Sequence, residues 1–145
     1  MSVYYSPGRF HFEKQAIATL DQNPPVQNTW YTILETTYYV RLLYIAVKHD
    51  NTDNVAKNLE VRVTIDGVTL AATAALAPGD NTWCYWYLEF WQDSMTGTAT
   101  LRNVGYYEGM RGHTVLVECR MTSVPGTAEE LDGRVQYEML EPSEW

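Results

Sequence analysis

Residues 59–70 read LEVRVTIDGVTL, two apolar-polar alternating runs joined by Asp66-Gly67. Leu59, Val61, Val63 and Ile65 alternate with Glu60, Arg62 and Thr64, the period of two that marks a strand with one face against a core. Glycine lacks a Cβ and aspartate tolerates the left-handed region, so an Asp-Gly pair supplies the two positive φ angles of a two-residue hairpin turn. The stretch is expected to fold back on itself as an antiparallel hairpin.

On both sides of it, runs rich in Val, Ile, Thr, Tyr and Trp are separated by the breaker clusters HDNTDN (49–54), LAPGDN (76–81), DSMTG (93–97), VGYYEGMRG (104–112) and VPGTAEELDG (124–133). Strands are predicted over 30–35, 38–49, 59–65, 68–74, 82–90, 98–104, 114–123 and 134–140. Such a set predicts an all-β chain, an antiparallel β-sandwich of about eight strands with a jelly-roll-like path. One short helix is expected within FEKQAIATL (12–20), whose residues are mostly good helix formers. Pro24-Pro25 forces extended chain and sets off what precedes it. Residues 1–29 are therefore expected as an extended N-terminal arm, 30–141 as the sandwich and 142–145 as a C-terminal tail.

The chain has 145 residues, the size of one domain, and carries 18 acidic against 10 basic residues for a net charge of -8. That balance offers no basic field to phosphates, so nucleic acid is not an expected partner. No run approaches the length of a membrane span, and MSVYYSPGRF lacks an apolar leader core, so no membrane association and no processing are expected. Cys84 and Cys119 share the inward parity of their strands and are expected as buried thiols rather than a disulfide. An immunoglobulin pattern is not met, because Trp86 lies on the strand of Cys84 and Val117 stands where a tyrosine corner would fall.

No catalytic spacing occurs. His11, His49 and His113 lie apart without a patterned partner, and no nucleophile elbow, zinc motif or phosphate-binding glycine loop is present. His49, Asp50, Asn51, Asp53 and Asn54 could offer metal ligands, but they lack the spacing of a calcium loop and read as a polar turn. Glu60 and Glu118 alternate away from the apolar positions and read as outward solubilising residues. The expectation is a chain that is not an enzyme, with no metal and no cofactor.

What remains is surface. WCYWYLEFW (83–91) places Cys84, Trp86, Leu88 and Phe90 on one face and Trp83, Tyr85 and Tyr87 on the other. The second set could present ~450–750 Å², at or beyond the ~300–600 Å² patch a monomer normally shows. By the same alternation YVRLLYIAV (39–47) reads as apolar on both faces, Leu43, Ile45 and Val47 against Val40, Leu42, Tyr44 and Ala46. A neighbouring subunit is the expected cover, with the chain's own N-terminal arm or loops, or a carbohydrate stacked on the aromatics, as the alternatives. Candidate platform residues are Trp83, Tyr85, Tyr87, Trp91, Tyr106, Tyr107, Arg111 and Trp145.

NTWYTILETT (28–37), the strand at Tyr38–Val47 that follows it, and LEVRVTIDGVTL together resemble β-sandwich structural proteins of tailed bacteriophages and related viruses. The resemblance covers Asn28 to Leu70 and rests on Trp30, Thr32, that strand and the Ile65-Asp66-Gly67 hairpin. It implies a capsid decoration or cement subunit, or a fibre-head domain, on the outer surface of a virion. It also implies a homo-oligomer in contact with other virion or capsid proteins, without catalysis. No site residue is carried over by it.

Overall fold

The computed structural model describes residues 10–79, 81–87 and 110–142. Its elements are all strands: β1 (Phe10–Gln22), β2 (Tyr31–Thr36), β3 (Val40–His49), β4 (Lys57–Ile65), β5 (Val68–Leu76), β6 (Cys84–Tyr87), β7 (Met110–Gly112), β8 (Val115–Met121) and β9 (Leu131–Pro142). Among the described residues no helix is long and apolar enough to cross a membrane. The strand expected over 98–104 and the end of the one expected over 82–90 lie outside the described residues.

The hairpin forms as its sequence predicts. Asp66 and Gly67 have φ of 48° and 88°, and β4 pairs β5 without a break from Lys57–Leu76 to Ile65–Val68. The tip is also tied to the next turn. Asp66 Oδ1 accepts N–H groups from His113 and Thr114 at 2.9 Å, and Asp66 donates its own N–H to the Thr114 carbonyl. Gly112 is required beside it, because a Cβ there would stand 2.4 Å from Ile65 Cγ2.

Two antiparallel sheets result. The first has the order β1-β9-β3-β6, with β7 also on β3; the second has the order β2-β8-β4-β5. Tyr87 pairs Tyr44 and Met110 pairs Leu42, so β6 and β7 run in one direction along β3 and share a lane. Among the described residues eight lanes thus pair first with last, second with seventh, third with sixth and fourth with fifth. This is a long hairpin rolled up around its Asp66-Gly67 tip, the jelly-roll path.

Inward side chains of both sheets form one core. Val40, Leu42, Ile45, Val47, Trp86 and Val135 from the first sheet meet Leu59, Val61, Val63, Ile65, Val117 and Met121 from the second. Cys84 and Cys119 are buried and free. Burial and the nearby Glu118 charge push the Cys119 thiol up to about 12.

Three expectations are corrected. The helix within 12–20 does not form, since those residues belong to β1 and pair β9 from Phe10–Pro142 to Gln22–Leu131. Ala16, Ala18 and Leu20 pack against the core while Gln15, Ile17 and Thr19 are exposed, a period of two that tertiary pairing favours over helix propensity. Residues 10–22 of the segment expected as an arm accordingly supply the border strand of the first sheet, while residues 1–9 lie outside the described residues. After a cis Asn23-Pro24 bond, the Asn28 N–H donates to the Met121 carbonyl, and the Gln27 amide donates to the Thr122 carbonyl.

The third correction concerns β3. Leu42 pairs Tyr137 and Tyr44 pairs Gln136, so Leu43 is an extra residue opposite no partner on β9. Such a bulge shifts the alternation by one. Val40 and Leu42 consequently face the same core as Ile45 and Val47, and the strand is not apolar on two faces by simple alternation.

Candidate interaction surface

Register arranges the outer face of the first sheet in rows. Gln15, Glu138, Arg41 and Arg111 form one, followed by Ile17, Gln136, Tyr44 and Tyr87, then Thr19, Arg134, Ala46 and Tyr85. The last holds Asp21, Asp132 and Lys48, with Trp83 beside the lysine. The β1 side is polar and the β6 side aromatic, because Trp83, just before β6, and Tyr85 alternate with the buried Cys84 and Trp86.

Trp83 and Tyr85 are half-buried. The Tyr44 and Tyr85 rings stand 5.9 Å apart and tilted by 58°. Lys48 Nζ lies 5.6 Å from the Trp83 ring centre and the Arg134 guanidinium 5.9 Å, within cation–π range. Arg41 Nε donates to Glu138 Oε1 at 3.0 Å. Of the residues singled out in the sequence, Trp83, Tyr85 and Arg111 share this face, and the backbone of Tyr87 pairs Tyr44. Trp91, Tyr106, Tyr107 and Trp145 lie outside the described residues.

The outer face of the second sheet carries a group the sequence reading did not foresee. Two guanidinium groups approach the Trp30 ring, Arg62 at 4.0 Å and Arg120 at 4.4 Å from its centre. Each arginine has its own carboxylate directly across the ladder. Arg62 Nε donates to Glu118 at 2.6 Å and Arg120 Nε to Glu60 at 2.8 Å. Glu60 and Glu118 thus hold cations over an indole, a more specific role than solubility.

At the end of the sandwich where the 50–56 and 122–130 loops meet, a second unforeseen group lies inside. His49 and Glu129 have no exposed side-chain surface, and His49 Nε2 lies 2.8 Å from Glu129 Oε1. The approach is off the ring's N–H direction, so neither ring nitrogen makes a well-formed hydrogen bond. Lys57 Nζ reaches Asp53 Oδ2 and the Val124 carbonyl, both at 2.7 Å. Burial lowers the His49 pKa, and the Lys57 charge adds to that against the opposing pull of Glu129. Burial would raise Glu129, but N–H groups of Gly126 and Thr52, with His49 and Lys57, hold it below the usual carboxylate range. The HDNTDN turn is therefore built into a structural ion network. Close by, carboxylate oxygens of Asp21, Glu130 and Asp132 gather within 4.8 Å. Burial and these like charges raise the Asp132 pKa.

No protein-family model and no curated protein sequence matches the chain. Solved structures do match. A chain of the acid-stable capsid structure of Helicobacter pylori bacteriophage KHP30 superposes with a TM-score of 0.51 at 10% identity, over 94% of this chain and 98% of that one. A chain of the cyanophage Pam1 capsid asymmetric unit gives 0.40 at 10% identity, covering 87% and 84%. A chain of the nora virus structure gives 0.42 at 9% identity, covering 90% and 58%. What is shared is the fold. The β-sandwich of this chain is the kind found in a viral capsid chain, and it spans nearly the whole of the KHP30 one.

Proposed function

We propose that this chain is a structural protein of a virion, acting through contacts with copies of itself and with other capsid proteins rather than through catalysis. Within that role, a decoration or cement subunit or a fibre head fits best, at the outer surface, where a net charge of -8 does not meet packaged nucleic acid. The observation that carries the reading is the outer face of the first sheet. Half-buried Tyr85 stands against Tyr44, and half-buried Trp83 lies within cation–π range of Lys48 and Arg134. Aromatic and arginine side chains dominate interface energetics. The capsid-type fold supports the same reading. The two cations near Trp83 disfavour a stacked sugar, since they approach the ring that the sugar would need.

Light scattering on the full chain at micromolar concentration tests this. An oligomer is expected, and Trp83→Ala with Tyr85→Ala should move its mass toward the monomer. A monomer at every concentration, with no binding to a viral shell, would overturn the proposal.

A further inference from the structure

We infer that two copies of this chain join their first sheets edge to edge through β1, antiparallel about a two-fold axis at Ile17. This rests on the assembly reading above and assigns one contact within it.

β1 is the border strand of the first sheet, and among the described residues its one strand neighbour is β9. Alternate backbone N–H and C=O groups of such a strand point away from the sheet and can form a ladder with another chain. Proteins usually guard such a border with charges, prolines or bulges. Here the bulge lies at one end, between Phe12 and Lys14, and the register then runs unbroken to Gln22. Residues 15–20, QAIATL, hold no charge, proline or glycine. Ile17 in their middle is 52% exposed. The other borders differ: β2 is six residues long with a break at Ile33 and carries Glu35, while Ala71 and Thr73 on β5 and Cys84 and Tyr85 on β6 already have further partners.

A second copy is the occupant that the sequence of the edge suits. A two-fold axis normal to the sheet keeps the same face up in both copies, so opposed residues must have the same parity. Centring the axis on Ile17 sets Ile17 against Ile17, Ala16 against Ala18 and Gln15 against Thr19. No charged residue then faces another between positions 14 and 20, and the one like-charge opposition, Glu13 to Asp21, falls at the ends of the pairing, where β1 has its bulge. Centring the axis on Ala16 or Ala18 would oppose Ile17 to Gln15 or Thr19 and leave its exposed apolar side chain without an apolar partner, while centring it on Thr19 or Gln15 would oppose Ile17 to Asp21 or Glu13. With eight excess negative charges per copy, approach is least costly along an uncharged line. One strand pair buries less than the ~800 Å² per partner of a standard interface, so this contact alone gives a weak, concentration-dependent dimer.

Single-cysteine cross-linking reads the register. Directly opposed Cα atoms in an antiparallel ladder lie about 4.5–5.5 Å apart, inside disulfide range. Ile17→Cys, oxidised mildly with glutathione disulfide, should give a covalent dimer as its main product. Thr19→Cys should stay at background, because its two copies would stand roughly 13–14 Å apart along the strands. The native Cys84 and Cys119 are buried and serve as the wild-type control. Ile17→Lys, which opposes two ammonium groups, should reduce the concentration-dependent rise in mass while leaving the circular dichroism unchanged. Equal cross-linking at 17 and 19, or none at 17 in a chain that still self-associates, would overturn the β1 contact and leave assembly standing. A chain that neither cross-links nor associates would overturn both.

Discussion

Glu129 has no solvent-exposed side-chain surface, yet it is ionised in a position that faces His49 and Lys57. Gly126 makes this possible, since a Cβ there would stand 2.7 Å from both Asp53 Oδ2 and Glu129 Oε2. Removing one partner from such a group leaves the others buried without compensation, so Glu129→Gln should destabilise the fold by about 3–5 kcal/mol in urea unfolding. The pH dependence follows from the same residues. His49 is held neutral, with its folded pKa below the unfolded value of about 6.5. The unfolded chain therefore binds the extra proton, and stability falls as pH drops below that value toward the folded one. Glu129, Asp53 and Asp66 have lowered pKa values, so what they contribute is full above about pH 4 and lost as pH falls through their folded values. Asp132 has the opposite sign: its pKa is raised, and its protonation on acidification offsets part of the loss. The urea midpoint should decline from pH 7 to pH 5, and His49→Gln should flatten that slope. Identical slopes in the two proteins would remove His49 from the account.

At the scale of elements, β3 shows how one residue redirects a strand. Because Leu43 has no partner on β9, deleting it leaves Leu42 and Tyr44 as consecutive rungs and keeps Val40, Leu42, Ile45 and Val47 inward. Leu43→deletion should therefore retain the fold at the loss of one buried leucine, about 1.5–3 kcal/mol. Deleting Ala46, which pairs Arg134 and Tyr85, should unfold the sandwich, because Val47 and His49 would turn to the outer face. Comparison of the two urea midpoints checks this. The β4–β5 hairpin was fully legible in the sequence, since its alternation, its turn pair and its register are all local. β3 was misread because a bulge leaves no mark in composition, only in pairing. β1 was misread because Ala, Glu, Lys and Gln favour helix locally, whereas its partner β9 lies more than a hundred residues away. Of the candidate surface, the Trp83 and Tyr85 face was legible from parity. The Trp30 clamp and the Glu129 network were not, since each depends on residues brought together across distant strands or loops. The arginine-glutamate alternation at Glu60-Arg62 and Glu118-Arg120 was the available signal, and it gains meaning only once β4 and β8 are known to pair in that register.

For the molecule as a whole, charge and contact chemistry pull in opposite directions. A net charge of -8 makes copies repel one another, while the surfaces proposed for contact are an aromatic face and an uncharged strand edge. Repulsion between exposed charges weakens with salt, as the screening length falls from ~30 Å at 0.01 M to ~8 Å at 0.15 M. Apolar burial and backbone ladders do not weaken over that range. Self-association should accordingly strengthen as salt rises from 0.01 to 0.15 M at pH 7, read as an increase in weight-average mass by sedimentation. Contacts made through ion pairs would behave in reverse. Weakening with salt would move the interface to the charged side of the first sheet, where Arg41 meets Glu138 and Lys48 meets Asp50. Acidification divides the two forces further, because approach to the isoelectric point near 4.7 removes repulsion while protonation near His49 and Glu129 loosens the loop end. Association is thus expected to rise from pH 7.5 to about pH 6, above the range in which the carboxylate contributions fade. A mass that stays flat over both salt and pH would show that neither force acts between copies.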